Sequence, residues 1–262
     1  MRMGADTDWS RGLPSFHAPP VIEVAVGVEF VPLPGLSTVG LVHLADLWTS
    51  DYPVIQEQPA IPPAAAGPGL HIRPGTPQIR IWMLSPSGDE LLQLQHDRVF
   101  LNWRRVSDES GGYPRYRYLR EQYRIAWERF SEYVVQSEIG GLAPVASEVT
   151  FVNRIDLDEG TRFADVISVF DEVSDLGTPI NQAVQLGFEI ENDQGVAVGR
   201  QSILASCNKG DPVVSLELTS RVRIEQNDTP TILQALDDAH AAGVMNFDRM
   251  TTEAMHTRWG KI

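Results

Sequence analysis

Cysteine occurs once in these 262 residues, at Cys207, and that scarcity removes several classes of protein together. A lone thiol forms no intrachain disulfide, no CxxC redox pair and no cysteine-rich zinc site, so it reads as a small side chain in a strand. Lysine is nearly as scarce. Of the 21 basic residues only Lys209 and Lys261 are lysine, so arginine richness is a habit of the whole chain and does not by itself signal phosphate recognition. No apolar run approaches the roughly 20 residues of a membrane-spanning helix. The opening MRMGADTDWSRGLPSFHAPP lacks the apolar segment of a secretory signal. Together these absences predict a cytoplasmic protein with no membrane association.

Chemistry is also thin on the ground. The phosphate-cradling GxxxxGK[ST], the dinucleotide GxGxxG, the GxSxG nucleophile turn and the HExxH zinc pair do not occur. The histidines at 17, 43, 71, 96, 240 and 256 never stand three or four apart, so no helix presents two of them as metal ligands. The acids of DLDEG, residues 156–160, lack the spacing of a calcium loop and read as a solvated strand end. No catalytic residue, metal ligand or cofactor is expected from these patterns. An enzyme would have to assemble its site from dispersed Asp, Glu and His.

What is present is an ordinary globular composition, 42% hydrophobic and 21% charged, with a net charge of −14. That charge repels polyanions at long range and disfavours nucleic acid, although a local basic patch could still bind it. Residues 1–20 read as a loose N-terminal arm. From Val21 to Phe30 strict alternation predicts a half-buried strand. Ser37 is placed to cap a helix of about three turns over 37–49. Seven of the eighteen prolines fall in residues 50–78, which predicts an extended loop.

QIRIWML and the stretch after SPSGDE then read as strands, the second broken near HDR into two short ones. Tyr116, Leu119, Tyr123, Ala126, Trp127, Phe130 and Val134 recur at steps of three and four. That spacing predicts a helix over 114–137, closed by Gly140 and Gly141. SEVTFVNRIDL reads as a strand, DVISVFDEV as a short amphipathic segment, and three further segments as an antiparallel meander. A helix from Thr229 to about Ala242 and a last short helix complete the chain. Strands and helices are segregated, so the fold class is α+β: antiparallel sheets with long helices packed on one face, and with two related α+β halves left open. The expected division is the arm, an N-terminal half over 21–160 and a C-terminal meander with helices over 161–262.

One locus departs from the acidic background. Arg98–Phe130 holds eight arginines against Asp108, Glu109, Glu121 and Glu128, a local +4 that leaves −18 for the rest of the chain. Five of the six tyrosines lie between 113 and 133. Helical spacing assigns Tyr116, Tyr123, Trp127 and Phe130 to a buried stripe and leaves Arg115, Arg117, Arg124 and Arg129 in solvent. Residues without such a structural role are Asn102, Trp103, Arg104, Tyr113 and Arg115. These five form the candidate binding site, since guanidinium groups beside amphipathic rings suit phosphate, carboxylate or a protein surface.

The segments LQHDRVFLNWRR, YPRYRYL, FVNRIDL and MTTEAMHTRWG, with PPVIEV at 19–24, resemble the signature segments of a sporadically distributed bacterial family of about 250 residues without an established activity. The resemblance spans nearly the whole chain. It implies one shared architecture and an accessory role such as phage defence or toxin control, and it implies no catalytic residue. The leading expectation is a non-enzymatic, chaperone-like binding protein whose partner is another protein, with oligomerisation open. A nucleic-acid or nucleotide sensor using Arg104, Tyr113 and Arg115 is the alternative, and an enzyme with a dispersed site comes after it.

Overall fold

A computed structural model describes residues 12–62, 79–107, 112–170 and 179–262. The ends of the expected arm and amphipathic segment, and most of the proline-rich loop, lie outside the described residues. Among the described residues nine strands form one antiparallel sheet, and five helices accompany them. The strands are β1 Val21–Phe30, β2 Val54–Pro59, β3 Ile79–Leu84, β4 Glu90–Gln95, β5 Arg98–Arg104, β6 Pro144–Asp156, β7 Asn181–Glu191, β8 Ala197–Asn208 and β9 Val213–Arg223. The helices are α1 Thr38–Ala45, α2 Tyr116–Gln136, α3 Phe163–Val166, α4 Thr229–Met250 and α5 Glu253–Trp259. Across the sheet the order is β2-β3-β4-β5-β1-β6-β9-β8-β7. Mixed α+β architecture is thus present, as the segregated pattern predicts.

The residues cluster into two compact units, one of Ala25–Ala146 with Ile224–Ile232, the other of Met1–Val24, Ser147–Arg223 and Leu233–Ile262. In the first, β1 buries Val26, Val28 and Phe30 by alternation. Ser37 caps α1 by accepting from the Gly40 amide at 3.3 Å, and the helix then tightens into a 3-10 turn over Asp46–Trp48. The stretch read as loop contains β2. Pro53 and Pro59 bound it and cannot donate to a ladder on both sides, so an edge position is the one they tolerate. The break at HDR is a tight turn, with Gln95 directly opposite Arg98.

Helix α2 begins at Tyr116, two residues later than expected, because Arg115 holds φ 76° and ψ 152°. Its buried stripe is the predicted one. Trp127 lies 5.5 Å from Phe130 and 6.3 Å from Tyr123 between ring centroids, and Phe30 from β1 lies 5.2 Å from Phe130. Of the arginines expected in solvent, Arg115 and Arg117 are exposed, while Arg124 and Arg129 are half-buried; Arg124 pairs with Glu121 three residues before it and Glu128 four after it. The helix ends at Gln136, with Ser137 as its cap and Glu138 in the left-handed region, ahead of the two glycines.

In the second unit the arm is tied down where it is described. Phe16 is buried, bridges to Lys261, and packs edge-on against Phe247 and Trp259. The break expected near Ala242 does not occur: α4 runs unbroken for 22 residues. Gly243 is there for close approach, since a Cβ would stand 2.8 Å from the Phe151 ring. The start of α4 falls in the Ile224–Ile232 stretch of the first unit, where Asp228 caps it by accepting from the Thr231 amide at 2.9 Å. Gly260, at φ 65°, ends α5.

Candidate functional site

Alternation along a strand sends neighbouring side chains to opposite faces, and this divides the five expected site residues. The register sets Leu91 opposite Asn102, and Glu90 opposite Trp103. Asn102 and Arg104 therefore project from one face of β5, and Trp103 from the other.

The face with Asn102 and Arg104 also carries Gln93, opposite Trp82 of β3, and Arg80 two residues before that indole. Gln93 is buried and acts as the hub. Its Oε1 accepts from Arg80 Nη1 at 2.8 Å and from Trp82 Nε1 at 3.1 Å, while its Nε2 donates to Asn102 Oδ1 at 2.6 Å. With these bonds made, Asn102 and Gln93 serve to hold the half-buried Trp82 and Arg80 in place. The Arg80 guanidinium stands 5.1 Å from the Trp82 ring centre and that of Arg104 stands 6.0 Å from it. Arg104 is oriented by the bond its Nε donates to the Gly88 carbonyl at 2.8 Å. Two cations thus share one indole, each contact contributing about 0.5–1 kcal/mol at this exposure.

On the opposite face Glu90 accepts from Tyr118 Oη at 2.7 Å and from Tyr52 Oη at 3.4 Å. The bond to Glu90, with burial second, pushes the Tyr118 hydroxyl up to about 12. Burial, then Glu90, raises Tyr52 further. Trp103 is buried, with its ring 5.4 Å from that of Tyr113. Burial raises the Tyr113 hydroxyl too, partly offset by the Arg115 charge, whose guanidinium lies 5.9 Å over the ring. Arg115 occupies a backbone region that is nearly glycine-only and costs of order 1–3 kcal/mol. Trp103, Tyr113 and Arg115 are therefore one cluster, and Asn102 with Arg104 belongs to another.

Sequence reading missed Arg80, Trp82 and Gln93, and on the other face Tyr52, Glu90 and Tyr118. The alternation in QIRIWML does place Arg80 and Trp82 on one face. What it lacks is the register that brings them beside residues 93 and 104.

In the second unit Thr251 Oγ1 at 2.9 Å and Asp248 Oδ1 at 3.7 Å both stand on the same ring nitrogen, His256 Nε2, so the three residues form no relay through the imidazole. Thr251 donates its single proton to the Phe247 carbonyl at 2.7 Å. It accordingly accepts from His256 Nε2, the reverse of what a nucleophile requires. Lys261 Nζ at 2.5 Å from Asp248 completes a clasp that fastens the C-terminal residues to α4. Cys207 is held in its thiol form by burial and by the Asp211 charge, which raise its pKa and disfavour a thiolate. Among the described residues no group of three or more His, Cys, Asp or Glu could hold a metal ion, and no helix is long and apolar enough to cross a membrane.

His240 is buried against Phe151, and burial pushes its imidazole down to about 3 from an ordinary 6.5. The unfolded chain therefore binds a proton below pH 6.5 that the folded chain refuses. Stability is complete above pH 6.5 and falls as pH drops toward 3, by about 1.4 kcal/mol for each unit. Between pH 6.5 and 5 this amounts to about 2 kcal/mol. Urea midpoints for wild type and His240→Gln over that range should diverge accordingly, the variant keeping the flatter profile.

Comparison with protein-family models, with curated proteins and with solved structures finds no match.

Proposed function

We propose that the chain is a non-enzymatic binding protein that takes an acidic segment of another protein on the Arg80–Trp82–Arg104 face. The observation that carries this reading is the pair of guanidinium groups at 5.1 Å and 6.0 Å from one indole, fixed from beneath by Gln93 and Asn102. Arginine and tryptophan are the side chains that most often dominate protein recognition, and a basic locus in a chain of net charge −14 selects an acidic partner. An accessory, chaperone-like role in the cytoplasm, in phage defence or toxin control, belongs to the same proposal and rests on the family resemblance alone.

Copurification from native cells, quantified by mass spectrometry, tests it. Arg80→Ala with Arg104→Ala should reduce recovery of the partner about tenfold or more, the equivalent of one lost hot spot. An unchanged melting temperature would show that the fold persists. Undiminished recovery sinks the reading.

A second reading uses the same indole to stack a base of a single-stranded nucleic acid or nucleotide, since arginine beside an aromatic ring suits that ligand as well. Affinity for a short single strand would then fall steeply with ionic strength. A dispersed-site enzyme ranks third, because the Thr251 hydroxyl beside His256 has its proton committed to the Phe247 carbonyl.

We also propose that the chain is built of two related α+β halves. The order β1-α1-β2-β3-β4-β5-α2 is followed by β6-α3-β7-β8-β9-α4, and the closing strand of each series, β5 or β9, neighbours its opening strand, β1 or β6. Two related halves account for that repetition. Long helices laid on one sheet face account for Tyr123 Oη donating to the Val99 carbonyl and for Gly243 against Phe151.

A further inference from the structure

We infer that two copies of this chain pair antiparallel through β7, edge to edge, as a two-fold dimer with the strands crossing at Gln185. Strand β7 ends the sheet and runs for 11 residues, NQAVQLGFEIE. Soluble proteins ordinarily blunt such an edge with lysine, proline, a short strand or a bulge. Here residues 181–191 hold neither lysine nor proline, and the register against β8 is regular until Ile190/Glu191. Strand β2, at the opposite end of the sheet order, shows the protected form instead: six residues, Glu57 in its middle and Pro53 and Pro59 at its bounds.

The exposed edge also carries an apolar stripe. Val184, Leu186, Phe188 and Ile190 share one face by alternation, continued back by Ile180, and none of them is fully buried. Phe188 remains 43% exposed and Ile180 71%. Among the described residues no strand bonds to the outer side of β7, and its apolar side chains are only partly covered.

Charge chooses the occupant and its direction. The acids of β7, Glu189 and Glu191, lie at its C-terminal end. Its N-terminal end is neutral, with Asn181 and Gln182, and has the Lys209 amide bonded to the Ile180 carbonyl. A parallel neighbour copy would set Glu189 beside Glu189, which opposes pairing. An antiparallel copy sets each acidic end against the other's neutral end. A two-fold axis at Gln185 places Ile180 opposite Ile190, Val184 opposite Leu186 and Asn181 opposite Glu189. The apolar residues of both strands then stand on one face, so the surface is complementary to itself, as an isologous dimer interface must be. The arrangement adds a strand to each sheet by backbone bonding, the familiar mode of edge recognition.

Light scattering on the eluting wild-type chain should give twice the 29.0 kDa chain mass at high concentration and approach the chain mass on dilution. Phe188→Lys, which sets a charge within the stripe, should shift the protein to the single-chain mass, while Ile55→Lys on β2 should leave the dimer intact. Directly opposed strand residues lie about 4.5–5.5 Å apart between Cα atoms, within disulfide range. In a Cys207→Ser background, oxidised Gln185→Cys should therefore run as a covalent dimer. This exposed polar position leaves the fold undisturbed, so the cross-link stands even if Phe188→Lys does not fold. A single-chain mass at every concentration, a dimer that Ile55→Lys dissolves, or no cross-link at position 185 overturns the inference.

Discussion

Replacing Trp127 with alanine should lower the unfolding free energy by about 3–5 kcal/mol and the melting temperature by roughly 10 °C or more. The indole is buried to 2% exposure within a ring cluster of Phe30, Tyr123 and Phe130, at centroid distances of 5.2–6.4 Å between members. Truncation removes its burial and leaves a cavity that the surrounding rings cannot fill by rotation. Tyr123 is further tethered by the bond its hydroxyl donates to the Val99 carbonyl, so the cluster has little freedom to collapse. Trp127→Phe should lose markedly less, because most of the volume remains. Thermal unfolding followed by circular dichroism checks both. Equal losses in the two variants would mean that the ring cluster is not what holds α2 in place.

Arg98→Met should be of comparable size for a different reason. Arg98 is 3% exposed, and its guanidinium lies 3.0 Å from Glu29 and 3.1 Å from Asp97. Methionine keeps much of the stem's volume, yet it removes the guanidinium from beside two poorly solvated carboxylates. Breaking a buried ion pair by removing one partner costs about 3–5 kcal/mol, most of it the desolvation of the charge left behind. Adding Glu29→Gln to Arg98→Met should therefore recover part of the loss, since one of the two charges disappears and Asp97 retains the bond from Gln95 Nε2 at 2.8 Å. Urea midpoints for the single and double variants decide it. A double variant less stable than the single would overturn this account.

The two cases show how differently sequence reports on a core and on a polar cluster. Trp127 is legible from spacing alone, because a 3.6-residue period names the buried stripe without reference to any other segment. Arg98 is not, since nothing local says that Glu29, far earlier in the chain, will stand beside it. The candidate site met the same limit. NWRR and YPR read as one surface because they are close in sequence and rich in the same side chains. The pleat then sends Asn102 and Arg104 to one face and Trp103 to the other. Arg80 and Trp82, 22 and 20 residues before Asn102, join the first group through register.

Sequence by itself determined the periods: the alternation of β1, the stripe of α2, the break at HDR, the Ser37 cap and the segregated order of an α+β chain. Each of these is set by dihedral preference and by burial of a local face, which act over a few residues. Only tertiary structure decided that β2 and β7 are the edges, that Gly243 lies inside one helix against Phe151, and that Gln93 gathers Arg80, Trp82 and Asn102. Local patterns satisfy many strand orders equally well. The backbone bonds between distant segments select one, and that selection also fixes which polar side chains share a face.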